Sequence, residues 1–418
     1  MSRILIYSLV FPPDQVANAH VLAGIVRELR SFGHEISVLT TTPHYQTLSD
    51  ISAKQPLSPY VGQRVFKSDF DGIPCYHIKV PATKGGFFKR IWTAMIFHSL
   101  SLWIGKRKEL ACDIVLTVST PPTIGLIGPL IARFHKAKSV FVVWDLSSEN
   151  FLVDNKKNGW MTWVLRRIEA VSYRWNNAIV GLSPTLVKLI RTRCQSECCV
   201  AEIPTTVDVN LYFPRPRNNG FSGKHGWNDR FLISYVGNYG RFQDFSPLPR
   251  AVSACSDLGV KFICAGAGLR YEELIHAAEA LDNKNWEVWG YQPIETTAMI
   301  NASSDLCLIL LDRKGAVGSF PSKLYTIMAS GRPVLYYGPC ETDIGRLIRE
   351  NDLGWTVETS DVDGFIEAIR EAYANPERRE QMGQNGLKLV EKCYSTYVVA
   401  RKYHELIQEV LAAPGFIP

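Results

Sequence analysis

The feature that most constrains this chain is an alternation of short apolar runs with amphipathic helical patterns, and the alternation occurs twice. In the first half Ile4-Leu5-Ile6-Tyr7 reads as a strand, and 19–31 reads as a helix with Val21, Leu22, Ile25, Val26 and Leu29 on one stripe. Gly33 stops that helix and Ile36-Ser37-Val38-Leu39 is the next strand. The pattern predicts further strands at 76–80, 114–118, 140–144 and 178–181, with helices over 88–104, 122–135 and 160–176. After Pro204 it pauses, and 214–229 is rich in Pro, Gly and Asn. It then resumes with strands at 232–236, 260–265, 286–289, 306–310 and 333–337, and helices at 361–374 and 377–392. A last helix over 396–413 carries Val399, Tyr403, Leu406 and Val410 on one face. Strands joined by helical crossovers lie parallel in a sheet covered on both faces. The expectation is two doubly wound α/β domains: 1–205, a linker over 206–229, and 230–395, with 396–418 returning to the first domain. Such sheets bind ligands at the carboxyl ends of their strands, so the default site is the cleft between the domains.

With 418 residues, 46% of them hydrophobic and 21% charged, each domain can bury a normal core, which excludes whole-chain disorder. The opening Met-Ser-Arg-Ile-Leu-Ile-Tyr runs into a strand pattern without the parts of a secretory leader, so a cytoplasmic protein is expected. The ten cysteines are scattered and mostly apolar in context, as in Phe262-Ile263-Cys264, which predicts reduced, buried thiols. Cys194, Cys198 and Cys199 form the single cluster, with no histidine or second pair at zinc spacing, so no metal is expected. Gly266-Ala267-Gly268 lacks the third glycine of a dinucleotide fingerprint, Tyr271 standing in its place, and is not read as one.

The net charge of +6 is unevenly spread. Residues 84–108 hold Lys84, Lys89, Arg90, Lys106, Arg107 and Lys108 with no acid, and 151–177 hold five basic residues against two acidic. Both stretches are aromatic: Phe88, Ile91, Trp92, Met95, Leu102 and Trp103 in one, and Trp160, Trp163, Val164, Ile168, Val171 and Trp175 in the other. Cations flanking an amphipathic aromatic helix fit an anionic membrane surface, reached through 88–108 and 156–175, better than nucleic acid. Residues 91–105 lack Asp, Glu, Lys and Arg, a run short of the roughly 20 residues needed to cross a bilayer.

The most informative stretch is 318–334, Gly-Ser-Phe-Pro-Ser-Lys-Leu-Tyr-Thr-Ile-Met-Ala-Ser-Gly-Arg-Pro-Val. A strand ends near Leu311 and a helix begins around Ser322 or Lys323 with Pro321 in its first turn, so free amides, a hydroxyl and a cation gather at one helix end. That end suits a phosphate or diphosphate, or is an ordinary cap. On the other domain Asp145 follows the strand at 140–144 and Glu149 lies just beyond; either is a helix-capping acid or a group that takes a proton from a hydroxyl. Phe11-Pro12-Pro13-Asp14, with Asn18 and His20, forms the first strand–helix loop, and His44 follows the second strand.

The segment Pro321-Ser322-Lys323-Leu324-Tyr325, followed by Met328-Ala329-Ser330-Gly331-Arg332-Pro333-Val334, resembles the donor-binding element of retaining, family-four glycosyltransferases of the two-domain GT-B fold, in particular those of bacterial surface-polysaccharide biosynthesis. Similar likeness runs through 235–244, 113–122, 143–149, 203–208 and the tail 364–395, in the family's order. The resemblance implies a nucleotide-diphosphate sugar as donor and a glycan acceptor, possibly linked to polyprenyl diphosphate. It implies no metal or other cofactor, and a place at the inner face of the cytoplasmic membrane. It assigns donor contacts to Gly237, Asn238, Arg241, Ser322, Lys323, Leu324, Tyr325 and Thr326. Asp145, Glu149 and His20 become candidates for catalysis, and Asp14, Asn18 and His44 for the acceptor side. The chain departs from the family where two glutamates usually stand, at Gly318 and Thr326. A threonine holds a ribose more weakly than a carboxylate. Of the family's Arg and Lys on the first donor-domain turn only Arg241 is matched, with Gln243 or Asp244 at the lysine's place. The resemblance to a Pro-Ser-Lys subgroup therefore implies that Lys323 takes the diphosphate. Two rivals remain, a nucleotide-sugar epimerase on the same fold and a catalytically silent nucleotide-sugar-binding or scaffold module.

Overall fold

The computed structural model describes residues 1–14, 16–43, 55–81, 87–146, 148, 159–194, 198–313 and 320–414. Glu149, His44 and Gly318 lie outside them. The chain divides into two compact units, 1–205 with 396–418 and 206–395.

The first unit holds β1 (Arg3–Ser8), β2 (Glu35–Thr41), β3 (Ser58–Val61), β4 (Val65–Phe70), β5 (Ile73–Ile78), β6 (Ile114–Val118), β7 (Lys138–Val143), β8 (Ala178–Gly181) and β9 (Cys199–Glu202). They form one sheet in the order β3-β4-β5-β2-β1-β6-β7-β8-β9. All pairs are parallel except β3 with β4 and β4 with β5. The chain starts in the middle at β1, builds outward through β2, then crosses to the other side at β6, so the switch point of the sheet lies between β1 and β6. The strands at the centre are buried on both faces, as Leu5, Ile6, Ile114, Val115 and Val140 show at 0% exposure. The helix Thr396–Ala412 belongs to this unit and buries Val399, Ala400, Tyr403 and Ile407. There Thr396 approaches Gly24 of the helix Ala17–Ser31, where a Cβ would stand 3.1 Å from the threonine methyl.

The second unit holds β10 (Phe231–Val236), β11 (Val260–Ala265), β12 (Trp286–Trp289), β13 (Leu306–Leu310), β14 (Val334–Tyr337) and β15 (Gly354–Val357) in an all-parallel sheet ordered β12-β11-β10-β13-β14-β15. Its switch point lies between β10 and β13. The Pro- and Gly-rich stretch before β10 is no free linker. Asn219 caps a short helix, Gly220–Lys224, in a capping box; Trp227 is buried and Arg217 pairs with Asp305 at 2.8 Å.

Three strands, β3, β9 and β15, and most of β4 carry no alternation distinct enough to predict them, and the edge hairpin β3–β4 is among the elements that sequence leaves out. The cysteine expectation needs correction. Cys194 and Cys198 are joined as a disulfide across a Cα separation of 6.5 Å, and Cys199 is exposed, while Cys75, Cys112, Cys255, Cys264 and Cys307 are buried free thiols. Cys194 ends the helix Pro184–Cys194 and Cys198 stands just before β9, a proximity that spacing alone does not specify. Among the described residues no helix is long and apolar enough to cross a membrane, and no three His, Cys, Asp or Glu side chains gather as metal ligands would.

Candidate active site

In the second unit β10 ends at Val236 and the chain turns at Gly237, whose φ of 136° lies where only glycine sits without strain. Two more glycines let the neighbouring turn after β11 press against it. A Cβ on Gly266 would stand 1.8 Å from the Gly237 carbonyl oxygen, and one on Gly268 would stand 2.5 Å from Asn238 Oδ1. Backbone bonds lock the pair of turns: Gly237 N–H donates to Ala265 O at 2.9 Å, Tyr239 N–H to Ala267 O at 2.9 Å and Arg270 N–H to Tyr239 O at 2.9 Å. Gly266-Ala267-Gly268 therefore serves close backbone packing at the carboxyl edge of the sheet.

Across the switch point, the loop after β13 leads into the helix Lys323–Ala329, and Lys323 reaches back to the end of β10. Its Nζ lies 3.7 Å from the centroid of the Tyr235 ring and 3.3 Å from where a Gly237 Cβ would be. The Tyr235 hydroxyl is itself held, donating to Asn238 O at 2.7 Å. Among the described residues no carboxylate pairs with Lys323, and burial lowers its ammonium from 10.5 to about 7. The aromatic face offsets part of the lost hydration, but a desolvated cation without a counter-charge is costly. The geometry holds a positive charge ready for an anion.

The other donor candidates separate. Ser322 is exposed at the start of the helix and its hydroxyl makes no capping bond. Asn238 is exposed beside Gly237. Arg241 is exposed and its guanidinium lies 5.1 Å over the Phe242 ring. Leu324 and Tyr325 are core residues, 0% and 2% exposed, with Tyr325 packed on Phe320 and Tyr394. Their amides bond to Pro321 O and Ser322 O, so neither turns its side chain or its N–H toward a ligand. The Thr326 hydroxyl donates to Lys323 O at 2.9 Å inside its own helix. A cavity of about 490 Å³ lined by Pro214, Arg217, Asp305, Arg332 and Arg379 holds the Ser330–Pro333 end of the motif, at the amino ends of β13 and β14, opposite the edge where Lys323 lies.

In the first unit, Asp145 follows β7 and is pinned from both sides. Trp144 N–H donates to Ser119 Oγ at 2.9 Å, tying the ends of β6 and β7, and Leu146 is fully buried. Ser148 bonds to Glu169 through its N–H at 3.0 Å and its hydroxyl at 2.7 Å, and Arg193 closes the network on Glu169 at 2.6 Å. Among the described residues no partner engages the Asp145 carboxylate, and burial raises it from 3.8 to about 6. A carboxylate so poised is suited to accept a proton near neutral pH. Asp14 is buried at the end of β1, whereas Asn18 and His20 are exposed on the first turns of Ala17–Ser31. Asp14 and Asp145 thus share the carboxyl edge of one sheet, two strands apart. Sequence singled out Lys323 and Asp145, but it missed Tyr235 as the platform under the lysine and the Ser148–Glu169–Arg193 network behind the aspartate.

The comparisons with known proteins follow the same division. Residues 19–195 match the family model described as glycosyl transferase 4-like domain, and 220–389 match that described as glycosyl transferases group 1. The chain is 22% identical over 304 residues to the "Probable glycosyltransferase WbjE" of Pseudomonas aeruginosa, covering 72% of this chain and 75% of that one. It is 21% identical over 396 residues to the "Putative colanic acid biosynthesis glycosyl transferase WcaI" of Escherichia coli K12, covering 90% and 93%. The structure of Anabaena Alr3699/HepE in complex with UDP superimposes with a TM-score of 0.73 at 12% identity, over 97% of this chain and 100% of that one. With its two sheets in place and a matching family model on each unit, the chain carries a glycosyl transferase 4-like domain followed by a glycosyl transferases group 1 domain and has the GT-B fold.

Proposed function

We propose that this glycosyltransferase takes a sugar from a nucleoside-diphosphate donor and transfers it, with retention of anomeric configuration, to a lipid-linked glycan in cell-surface polysaccharide assembly. The observation that carries the proposal is Lys323, a desolvated ammonium with no carboxylate partner among the described residues, held at the switch point of the second sheet. A diphosphate supplies the missing negative charge. The relative named for colanic acid biosynthesis and the UDP-bound structural neighbour support the substrate classes.

In the reaction the bond from the anomeric carbon to the diphosphate oxygen breaks and its electron pair leaves with the nucleoside diphosphate. Lys323 stabilises that charge as it develops. The acceptor hydroxyl oxygen then bonds to the anomeric carbon on the face the diphosphate left. Its proton passes to a base, for which Asp145 is our assignment. Electrostatic stabilisation by a fixed cation needs neither a covalent nucleophile nor a metal.

The two basic, aromatic helices support a position on the inner leaflet. Trp92, Met95 and Trp103 of Phe87–Ile104 and Trp160 and Trp163 of Gly159–Trp175 are all more than half exposed. Lys106 stacks on Phe134 and Arg167 on Trp163, so cations and rings share the surface.

A melting-shift panel of uridine, guanosine, thymidine and adenosine diphosphates, followed by the matching sugars with a lipid-linked acceptor, tests the assignment. Glycan product with a retained anomer supports it, and conversion of the nucleotide sugar without acceptor would make the chain an epimerase. The Thr326 hydroxyl, spent inside its helix, favours a second reading as a binding module, which stabilisation by nucleotide without any turnover would establish.

A further inference from the structure

The edge hairpin that sequence left out makes a groove of about 740 Å³ against the helix Phe87–Ile104. One wall is apolar, with Trp92, Met95, Ile96 and Leu100, and the other carries Arg64 and Lys79. Lys79 N–H bonds to Arg64 O at 2.8 Å next to the Val65–Ile78 pair, so the two cations stand opposite each other on antiparallel strands. Like charges so placed repel, and among the described residues no acid lines the groove and neither cation makes an ion pair. The groove thus combines an apolar trough with an uncompensated double positive charge, the complement of an anionic head on an apolar tail. Trp92 and Met95, 57% and 55% exposed, leave the trough continuous with the aromatic surface described above.

Its position selects among such molecules. Lys79 follows β5, which runs parallel to β2, so the groove opens at the same sheet edge as Asp145. From β5 to β7 there are four strand spacings, about 19 Å at the usual separation, a span for a diphosphate and a short oligosaccharide. A bulk phospholipid held here would deliver nothing to that edge.

We infer that this groove is the binding site for the isoprenyl diphosphate end of the glycan acceptor, with the diphosphate on Arg64 and Lys79 and the first isoprene units along Trp92, Met95 and Leu100. The inference rests on the lipid-linked acceptor proposed above and gives it a site.

Titration calorimetry of the full chain with farnesyl diphosphate tests it, with farnesol, inorganic diphosphate and phosphatidylglycerol vesicles as comparison arms. Farnesyl diphosphate should bind at least about tenfold more tightly than farnesol or inorganic diphosphate. Arg64→Ala/Lys79→Ala and, separately, Met95→Asp should each weaken it by about tenfold while nucleoside diphosphate binding is unchanged. Equal binding by wild type and both variants, or binding to the vesicles with none to farnesyl diphosphate, would overturn the groove assignment. Because the readout is binding without turnover, failure to transfer sugar would count against the enzyme assignment alone. Transfer to a lipid-linked acceptor that is unaffected by the groove variants would count against the groove alone.

Discussion

Gly237 and Lys323 follow the neighbouring strands β10 and β13, far apart in the chain, and meet so closely that a Cβ on the glycine would lie 3.3 Å from the lysine Nζ. The contact works because the glycine has no side chain and because its φ of 136° turns the chain away at once after β10. Gly237→Ala would strain the turn and displace the ammonium together. We expect loss of most nucleoside diphosphate affinity, tenfold or more, in a folded protein, measured by calorimetry alongside circular dichroism. An alanine variant that binds as tightly as the wild type would remove this turn from the donor site.

The pH dependence follows from two shifted groups. In the proposed reaction Asp145 is ionised to take a proton and titrates at about 6, while Lys323 is protonated to bind diphosphate and titrates at about 7. The kcat/KM profile of the free enzyme should rise through the first value and fall through the second. Bound diphosphate raises the lysine, so the falling limb of kcat should sit at higher pH than that of kcat/KM. Asp145→Asn should abolish the acid limb and lower transfer more than donor binding.

Lys323 also costs stability. Its folded value lies below its unfolded one, so below about pH 7 the full penalty of a desolvated cation is present. As the pH rises from there the folded state sheds its proton first and stability increases. Lys323→Met should therefore raise the melting temperature of the nucleotide-free protein, by about 1 kcal/mol or 2–4 °C, most clearly below pH 7. The same variant should lose the melting shift given by nucleoside diphosphate.

The Asp145 loop depends on a buried pair. Glu169 and Arg193 have side chains only 7% and 13% exposed, and Glu169 holds both the N–H and the hydroxyl of Ser148. Glu169→Ala removes the carboxylate that neutralises the buried Arg193 guanidinium at 2.6 Å, at a cost of about 3 kcal/mol by chemical denaturation. Transfer should fall further than unfolding explains at permissive temperature, while donor binding to the second unit stays intact.

Membrane docking should follow charge. Lys106→Ala/Arg107→Ala/Lys108→Ala removes about 1 kcal/mol of attraction per residue to an anionic leaflet. Co-sedimentation with phosphatidylglycerol vesicles should drop by tenfold or more and should weaken steeply with added salt in the wild type. Equal sedimentation of the variant would disprove the docking surface.

What was legible depended on how local the signal was. Strands β6, β8, β11, β12 and β13 coincide with the predicted runs, and β6, β8 and β13, buried at every position, show why: strands covered on both faces leave an uninterrupted hydrophobic stretch. The hairpin strands β3 and β4 lie at a sheet edge, and their exposed positions, such as Ser58, Pro59 and Lys67, break any such stretch. Leu324 and Tyr325 show the converse limit. They sit in the motif that resembles a donor loop, yet the helix that presents Lys323 turns them into the core.

By itself the amino-acid sequence determined the two rounds of strand and helix, the glycines at the strand ends and the placing of Lys323 and Asp145 just beyond apolar runs, because periodicity and turn chemistry act between near neighbours. Only the tertiary structure decided that Lys323 lies over Tyr235, that Glu169 and Arg193 brace the loop of Asp145, and that Arg64 faces Lys79 beside an apolar helix. Those relations join residues far apart in the chain, and their energies come from desolvation and fixed charge, which exist only once the core has closed around them.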